Sequence, residues 1–297
     1  MTYGELYNNC IDRLDKAGII EKESDAGLLF YYLLGIDRGK RFMVCNDEAD
    51  ADSCAKIEEA LNLREQRIPL QHITGFQDFM GLEFAVTGDV LIPRFDTETL
   101  VEETMLVARD GDKVLDVCTG SGCIIISLMN YKNDIDGVGC DISEKALDIA
   151  EKNAIRLCKP NEEYCCGITD EIIDNADLCK PRFICSNLFE NIDEHDFDVI
   201  VSNPPYIRSS VIETLEPEVR EYDPMLALDG GEDGLDFYRR IIGEAPEYLK
   251  KGGNLLVEIG HDQGKDVEEL FRVSGFRDIK VVKDLAGNDR VVRGYYV

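Results

Sequence analysis

The sequence predicts an α/β protein, a doubly wound and mainly parallel sheet preceded by a small helical bundle. Three observations predict it. From Val114 onward, short apolar runs alternate with segments of helical period, the pattern of parallel strands with helices on both faces. Before about residue 68 only helical spacing appears. Two of the apolar runs end in stiff or glycine-rich loops, Thr119-Gly120-Ser121-Gly122 and Asn203-Pro204-Pro205-Tyr206. Open α/β sheets bind their ligands at such strand ends.

The elements follow in order. Thr2 and Glu5 form a capping-box pattern, and Leu6, Cys10, Ile11 and Leu14 keep helical spacing until Gly18. Ser24 is placed to cap a helix over Ala26–Leu34, which Gly35 ends; a third helix from about Asp52 carries Ile57, Leu61 and Arg64 until Pro69. These predict a helical bundle over residues 1–68, suited to docking a partner. Residues 69–95 are expected to link it onward through a hairpin, with Leu82, Phe84 and Val86 alternating beside a Met80-Gly81 turn. The domain over 96–297 opens with a helix from Asp96 to about Ala108. Strands are predicted at Val114–Val117, Gly137–Asp141, Phe183–Cys185, Asp198–Ser202 and Leu255–Ile259, with helices at Cys123–Met129 and Ser143–Ile155. Phe276–Val282 and Arg290–Tyr296 read as a closing antiparallel pair.

Composition narrows the function classes. The 297 residues carry 60 acidic and 32 basic side chains, a formal charge of −28. Such a surface repels phosphate backbones, which argues against a nucleic-acid partner and suits a basic protein. No run approaches the ~20 apolar residues needed to span a bilayer, and the first residues lack the basic and apolar regions of a signal peptide. A cytoplasmic location without membrane contact is therefore expected. The 11 cysteines are scattered, with Cys165-Cys166 adjacent and no CxxC pair, so reduced thiols and no metal are expected.

The loop after the first strand, Asp116 to Gly122, can turn tightly and let a ligand approach its backbone, because glycine lacks a Cβ. A dinucleotide fingerprint would need a third glycine where Ile125 stands, and the Lys-Ser/Thr of a phosphate loop is absent. Asp141 ends the second strand, where a carboxylate can accept both hydroxyls of a ribose. A nucleoside without phosphates, such as S-adenosylmethionine, satisfies both features; an ordinary strand–helix turn with a solvated Asp would also produce them. Asn203-Pro204-Pro205-Tyr206 leaves a buried strand and cannot continue the sheet, since neither proline has an N–H to donate. It holds together an amide, free carbonyls and an aromatic ring, a set able to grip a planar amide or amine. Asn-Pro is also a common turn initiator, and Tyr206 can simply pack.

These segments together resemble a class I methyltransferase, and more closely the bacterial peptide chain release factor glutamine N5-methyltransferases (PrmC/HemK). The resemblance is carried by Arg67-Ile68-Pro69-Leu70-Gln71-His72-Ile73, Val90-Leu91-Ile92-Pro93-Arg94, Val114 through Cys123, Asn203 through Tyr206, Leu226 through Leu235 and Asp284 through Arg290. It implies a class I S-adenosylmethionine-dependent fold and methyl transfer to the N5 of the glutamine in a Gly-Gly-Gln motif of release factors. It further implies cofactor contacts from Cys118, Thr119, Gly120, Ser121, Gly122, Asp141, Asn187, Leu188 and Asn203. The substrate contacts it implies come from Asn203, Pro204, Pro205 and Tyr206, with Asn203, Pro204 and Tyr206 catalytic. Asn187 stands where that family often has Asp, and Phe95 where it usually has Pro.

A glutamine amide nitrogen is a weak nucleophile because its lone pair is delocalised. The implied remedy is that the Asn203 side-chain oxygen and the Pro204 carbonyl accept its two N–H groups, more strongly as positive charge develops on nitrogen. No strong general base is needed, and His72, His195 and His261 are expected to be structural or solvated. Three other readings share parts of this pattern: a glutamine methyltransferase of a ribosomal protein, an N6-adenine DNA methyltransferase, and a cofactor-binding interaction module.

Overall fold

In a computed structural model of the chain, the structure describes residues 1–158 and 180–297. The adjacent Cys165 and Cys166 lie outside the described residues. The chain forms two compact units, residues 1–76 with 216–222, and residues 77–215 with 223–297.

The first unit is helical: α1 (Tyr3–Lys16), α2 (Lys22–Leu34), α3 (Arg38–Val44), α4 (Ala51–Arg64) and α5 (Leu70–Thr74). The Thr2 hydroxyl accepts the Glu5 N–H while Glu5 accepts the Thr2 N–H, so the capping box forms as expected. Ser24 does not cap α2. That helix starts four residues earlier than expected, at Lys22 after Glu21, without a side-chain cap, and its Gly35 end is left-handed as expected. Leu6, Cys10, Leu14, Leu29, Phe30, Ile57 and Leu61 make the core. Buried Arg64 donates to Asp25 at 2.8 Å and to Glu218 at 3.0 Å, and Arg67 reaches Glu218 at 2.8 Å. Glu218 belongs to α10 (Pro217–Tyr222), so a short helix from deep in the sequence completes this unit.

The second unit begins in the hairpin β1 (Phe76–Phe79) and β2 (Leu82–Ala85). Met80 and Gly81 both take positive φ, 50° and 69°, as a tight primed hairpin turn requires. After α6 (Phe95–Val107) come β3 (Lys113–Val117), α7 (Cys123–Tyr131), β4 (Asp136–Asp141), α8 (Glu144–Leu157), β5 (Arg182–Cys185) and β6 (Phe197–Ser202). Short helices α9 (Ser209–Ile212) and α11 (Met225–Leu228) precede α12 (Asp236–Tyr248) and β7 (Leu249–Glu258). The unit closes with α13 (Gly264–Val273), β8 (Arg277–Lys283) and β9 (Asp289–Tyr295). The sheet order is β5-β4-β3-β6-β7-β9-β8. Pairings from β5 through β7 are parallel; β9 runs antiparallel to both β7 and β8. Leu115, Val117, Val138, Ile200, Leu255 and Val257 pack one face with α12 and α13, while Val114, Val199, Val201 and Leu256 pack the other with α6 and α7. This is the class I methyltransferase architecture, including the antiparallel C-terminal strand.

Candidate active site

Strand order reverses at β3, with β4 on one side and β6 on the other. Val117 stands in register with Ser202, so the loops that follow β3 and β6 leave the sheet side by side. A cleft of about 220 Å³ opens there. Cys118, Thr119, Gly120, Ser121, Asp141, Asn187, Leu188, Asn203 and Pro205 line it. Gly122, Pro204 and Tyr206, also singled out in the sequence, are not part of that lining.

The glycine loop is held from below. Thr119 donates its hydroxyl to Asp116 at 2.6 Å and its N–H to the Cys140 carbonyl at 2.9 Å. Gly122, at φ 78°, starts α7, and a Cβ there would lie 2.8 Å from Ile126 and 3.3 Å from Ala150. Gly120, at φ 55°, has no atom within 4 Å of where a Cβ would be, so its bare backbone faces the open cleft. Asn153, fully buried on α8, donates to the Ser121 and Ala85 carbonyls and accepts the Ala85 N–H, tying the loop to the hairpin. Asp116 beneath the loop is completely buried; that burial pushes its carboxyl up to about 7, against the pull of the Thr119 hydroxyl and the Ile125 N–H.

Asp141 accepts the Gly120 N–H with one oxygen and the Ser143 N–H with the other, each at 2.9 Å. A carboxylate has about four acceptor sites, so Asp141 keeps acceptor capacity for ligand hydroxyls. Burial raises its carboxyl, and the N–H groups of Ser143, Gly120 and Ile142 restrain the rise. Ile124, Ile142, Ala146 and Phe237 give the cleft apolar walls. Asn187 is fixed by donating to Glu190 at 2.6 Å and accepting from Arg240 at 3.1 Å. A bare-backbone loop, a diol acceptor and apolar walls fit a nucleoside with an aliphatic tail.

Asn203 lines the cleft and donates its Nδ2 to the Thr97 hydroxyl at 3.2 Å, a bond that leaves its Oδ1 as an acceptor. Pro204 is buried. The Tyr206 hydroxyl donates to buried Glu258 at 3.1 Å, its ring packs against the core, and burial with the Glu258 charge holds the phenol well above its usual range. The tetrapeptide is braced by the Leu228–Gly231 segment. Ile207 donates its N–H to the Leu228 carbonyl and accepts the Gly230 N–H. A Cβ on Gly230 would come within 2.7 Å of the Tyr206 Cα, so only glycine permits this approach. Gln263, 2% exposed, donates to the Tyr206 carbonyl at 3.0 Å. On the rim, Arg94 contacts the buried carboxylate of Asp223 at 2.5 Å.

Thr97, Asn153, Asp223, Gln263 and Glu258 were not singled out from the sequence. Glu258 had a visible signal, an acidic residue inside the apolar run Leu255–Ile259. The others look like ordinary polar residues until the fold brings them under the loops.

Two family models match the chain: the PrmC N-terminal domain over residues 5–75 and the methyltransferase small domain over residues 94–216. The chain is 40% identical over 281 residues to a release factor glutamine methyltransferase of Geobacter sulfurreducens, covering 95% of this chain and 92% of that protein. It is 39% identical over 294 residues to one of Clostridium acetobutylicum, covering 95% and 96%. A solved methyltransferase of Pyrococcus furiosus shares the fold at 17% identity, with a TM-score of 0.51 over 83% of this chain and 98% of that one.

Proposed function

The chain belongs to the release factor glutamine methyltransferase family, and from that premise we propose how its cleft performs the reaction. The enzyme transfers a methyl group from S-adenosylmethionine to the side-chain N5 of the glutamine in the Gly-Gly-Gln motif of peptide chain release factors. The observation that supports this reading is the Asn203 side chain, tied through Nδ2 to Thr97 in the lining of a cleft that fits a nucleoside.

S-adenosylmethionine supplies a methyl group on a positively charged sulfur. Asp141 would hold its ribose, Asn187 and Leu188 its adenine, and Cys118 through Gly122 the methionine part, with the bare Gly120 backbone giving room. Asn203 Oδ1 and the Pro204 carbonyl would accept the two N–H groups of the substrate amide. Both bonds strengthen as the nitrogen becomes cationic, which favours the transition state over the ground state. Neither acceptor has to move, because Thr97 fixes Asn203 and the Leu228–Gly231 segment braces the chain beyond Pro204. Tyr206 and Pro205 exclude water from one side. The nitrogen, once methylated, is strongly acidic and releases its proton to solvent.

The test is to incubate the protein with radiolabelled S-adenosylmethionine and a purified release factor, then map the label by peptide mass spectrometry. Label on the Gly-Gly-Gln glutamine is the expected result. Label on a ribosomal protein or on adenine in DNA, with none on release factors, would overturn the substrate assignment.

A further inference from the structure

Behind the tetrapeptide lies a carboxylate that the reaction described above does not use. Glu258 ends β7 and is 1% exposed. Its Oε1 accepts the Tyr206 hydroxyl at 3.1 Å, while its Oε2 is buried without a hydrogen-bond partner. The Thr97 hydroxyl faces this carboxylate, and Thr97, 2% exposed, also accepts the Asn203 Nδ2. Two members of the amide clamp therefore converge on one buried acid, Tyr206 directly and Asn203 through Thr97.

Charged and titratable groups face Glu258 from several elements. They are Arg290 of β9, Asp96 of α6, Tyr206 of the loop, Tyr238 of α12 and Cys123 of α7. Arg290 is already paired with Asp96 at 3.0 Å and Asp284 at 3.1 Å, so no cation is dedicated to Glu258. Tyr238 donates its hydroxyl to the Glu258 backbone carbonyl at 2.8 Å and leaves the side chain to the clamp.

We propose that Glu258 is a positioning residue whose ionised carboxylate sets the direction of hydrogen bonding through Thr97, so that Asn203 presents its oxygen to the substrate amide. The inference rests on the methyltransferase reading of the cleft. A threonine hydroxyl has one proton, and an ionised carboxylate can only accept. With Glu258 ionised, Thr97 directs its proton there and its lone pairs receive the Asn203 NH2. Oδ1 is then left for the cleft. With Glu258 protonated, the carboxyl can donate to Thr97, and Thr97 can turn its proton onto Asn203. The Asn203 amide is then satisfied the other way round and offers NH2 to a substrate NH2, donor against donor. Burial, opposed by Thr97, Arg290 and Tyr206, lifts the Glu258 carboxyl to about 7, so the two states exchange near neutrality.

The experiment uses the full chain, wild type and with Glu258→Gln or Thr97→Val, at saturating cofactor with a release factor from pH 6 to 9. Wild-type kcat should rise through about pH 7 and level off. Glu258→Gln should lower kcat at pH 8 at least about tenfold and lose the step, while the cofactor Kd changes less than about threefold. Thr97→Val should show the same loss with the carboxylate intact. Independently of turnover, the Asn203 side-chain amide signals in 15N–1H spectra, identified by their loss in Asn203→Ala, should titrate near pH 7 in wild type and not in Glu258→Gln. Wild-type kcat and profile in Glu258→Gln, or Asn203 signals insensitive to pH in wild type, would overturn the inference. Should wild type fail to methylate release factors, the proposed function falls, and the amide titration still decides the role of Glu258. If Glu258→Gln does not fold, Thr97→Val and the wild-type titration decide it.

Discussion

Gly120 and Gly122 stand two residues apart and answer to different constraints. A methyl on Gly122 would strike Ile126 and Ala150 inside the unit; one on Gly120 would meet only the cleft. Gly122→Ala is therefore expected to lower stability by about 1–3 kcal/mol through overpacking and left-handed strain, read as a fall in Tm. Gly120→Ala carries only the backbone cost of about 1–2 kcal/mol but fills cofactor space. Its cofactor Kd, by titration calorimetry, should weaken more than its Tm falls. Asn203→Ala removes the acceptor without touching the glycine loop; kcat should drop about 100- to 1,000-fold, with cofactor Kd nearly unchanged. A matching loss of cofactor affinity would count against its role. At this scale the sequence exposed what faces the cleft, because loops at strand ends announce themselves through Gly, Pro and Asn. It hid the polar side chains that brace those loops. Thr97 is one helix-start residue among several, and Asn153 matches any polar residue on an amphipathic helix until α8 docks under the Ser121 carbonyl.

Among the elements, α4 and α10 are joined by the most consequential polar contact of the first unit. Arg64 is 8% exposed and faces Asp25, 6% exposed, as well as Glu218. Burial alone would raise the Glu218 carboxyl, but its own backbone N–H, Arg64 and Arg67 hold it below its ordinary value. Its contribution to stability is present above the ordinary glutamate range and disappears as pH falls through its lowered value. Arg64→Met leaves buried Asp25 uncompensated, while half-buried Glu218 keeps Arg67, and should cost about 3–5 kcal/mol in urea unfolding. Adding Asp25→Asn should restore part of it. The periodic elements were legible: strands β3, β4, β5 and β6 fall within a residue or two of their predicted bounds. The short ones were not. Helices α3, α5, α9, α10 and α11 span one or two turns, too few for a period to register. Strand β7 begins at Leu249 rather than Leu255 because Lys250, Lys251, Gly252 and Gly253 read as a turn. Helices α12 and α13 carry amphipathic faces that were passed over beside the stronger signal of the flanking strands.

For the molecule as a whole, charge and burial act on stability together. A formal charge of −28 means self-repulsion, so Tm at neutral pH should rise as salt is increased from about 10 to 300 mM and the Debye length shrinks. Asp116 and Glu258 add a term that salt cannot screen. Both carboxyls are raised by burial to about 7, so the folded state binds protons there that the unfolded chain has released. Their contribution is complete below about pH 4. It is lost as pH rises through about 7. Urea unfolding at high salt should therefore still show stability declining from pH 5 to 7.5, and Asp116→Asn with Glu258→Gln should flatten that decline. Among the described residues no helix is long and apolar enough to cross a membrane.

The membership of α10 in the first unit bears on recombination between relatives. Because residues 216–222 are interior to the second unit's sequence yet complete the first unit's core of ion pairs, the N-terminal bundle is not a bead that can be exchanged at a single junction. A chimera that imports a relative's first 76 residues must import its counterpart of α10 too, or place a foreign arginine opposite Glu218. Exchanging both pieces should give soluble hybrids with near-parental Tm, whereas exchanging the first piece alone should not. The unit to be exchanged is a pair of segments, tied by the ion pairs of Glu218 with Arg64 and Arg67.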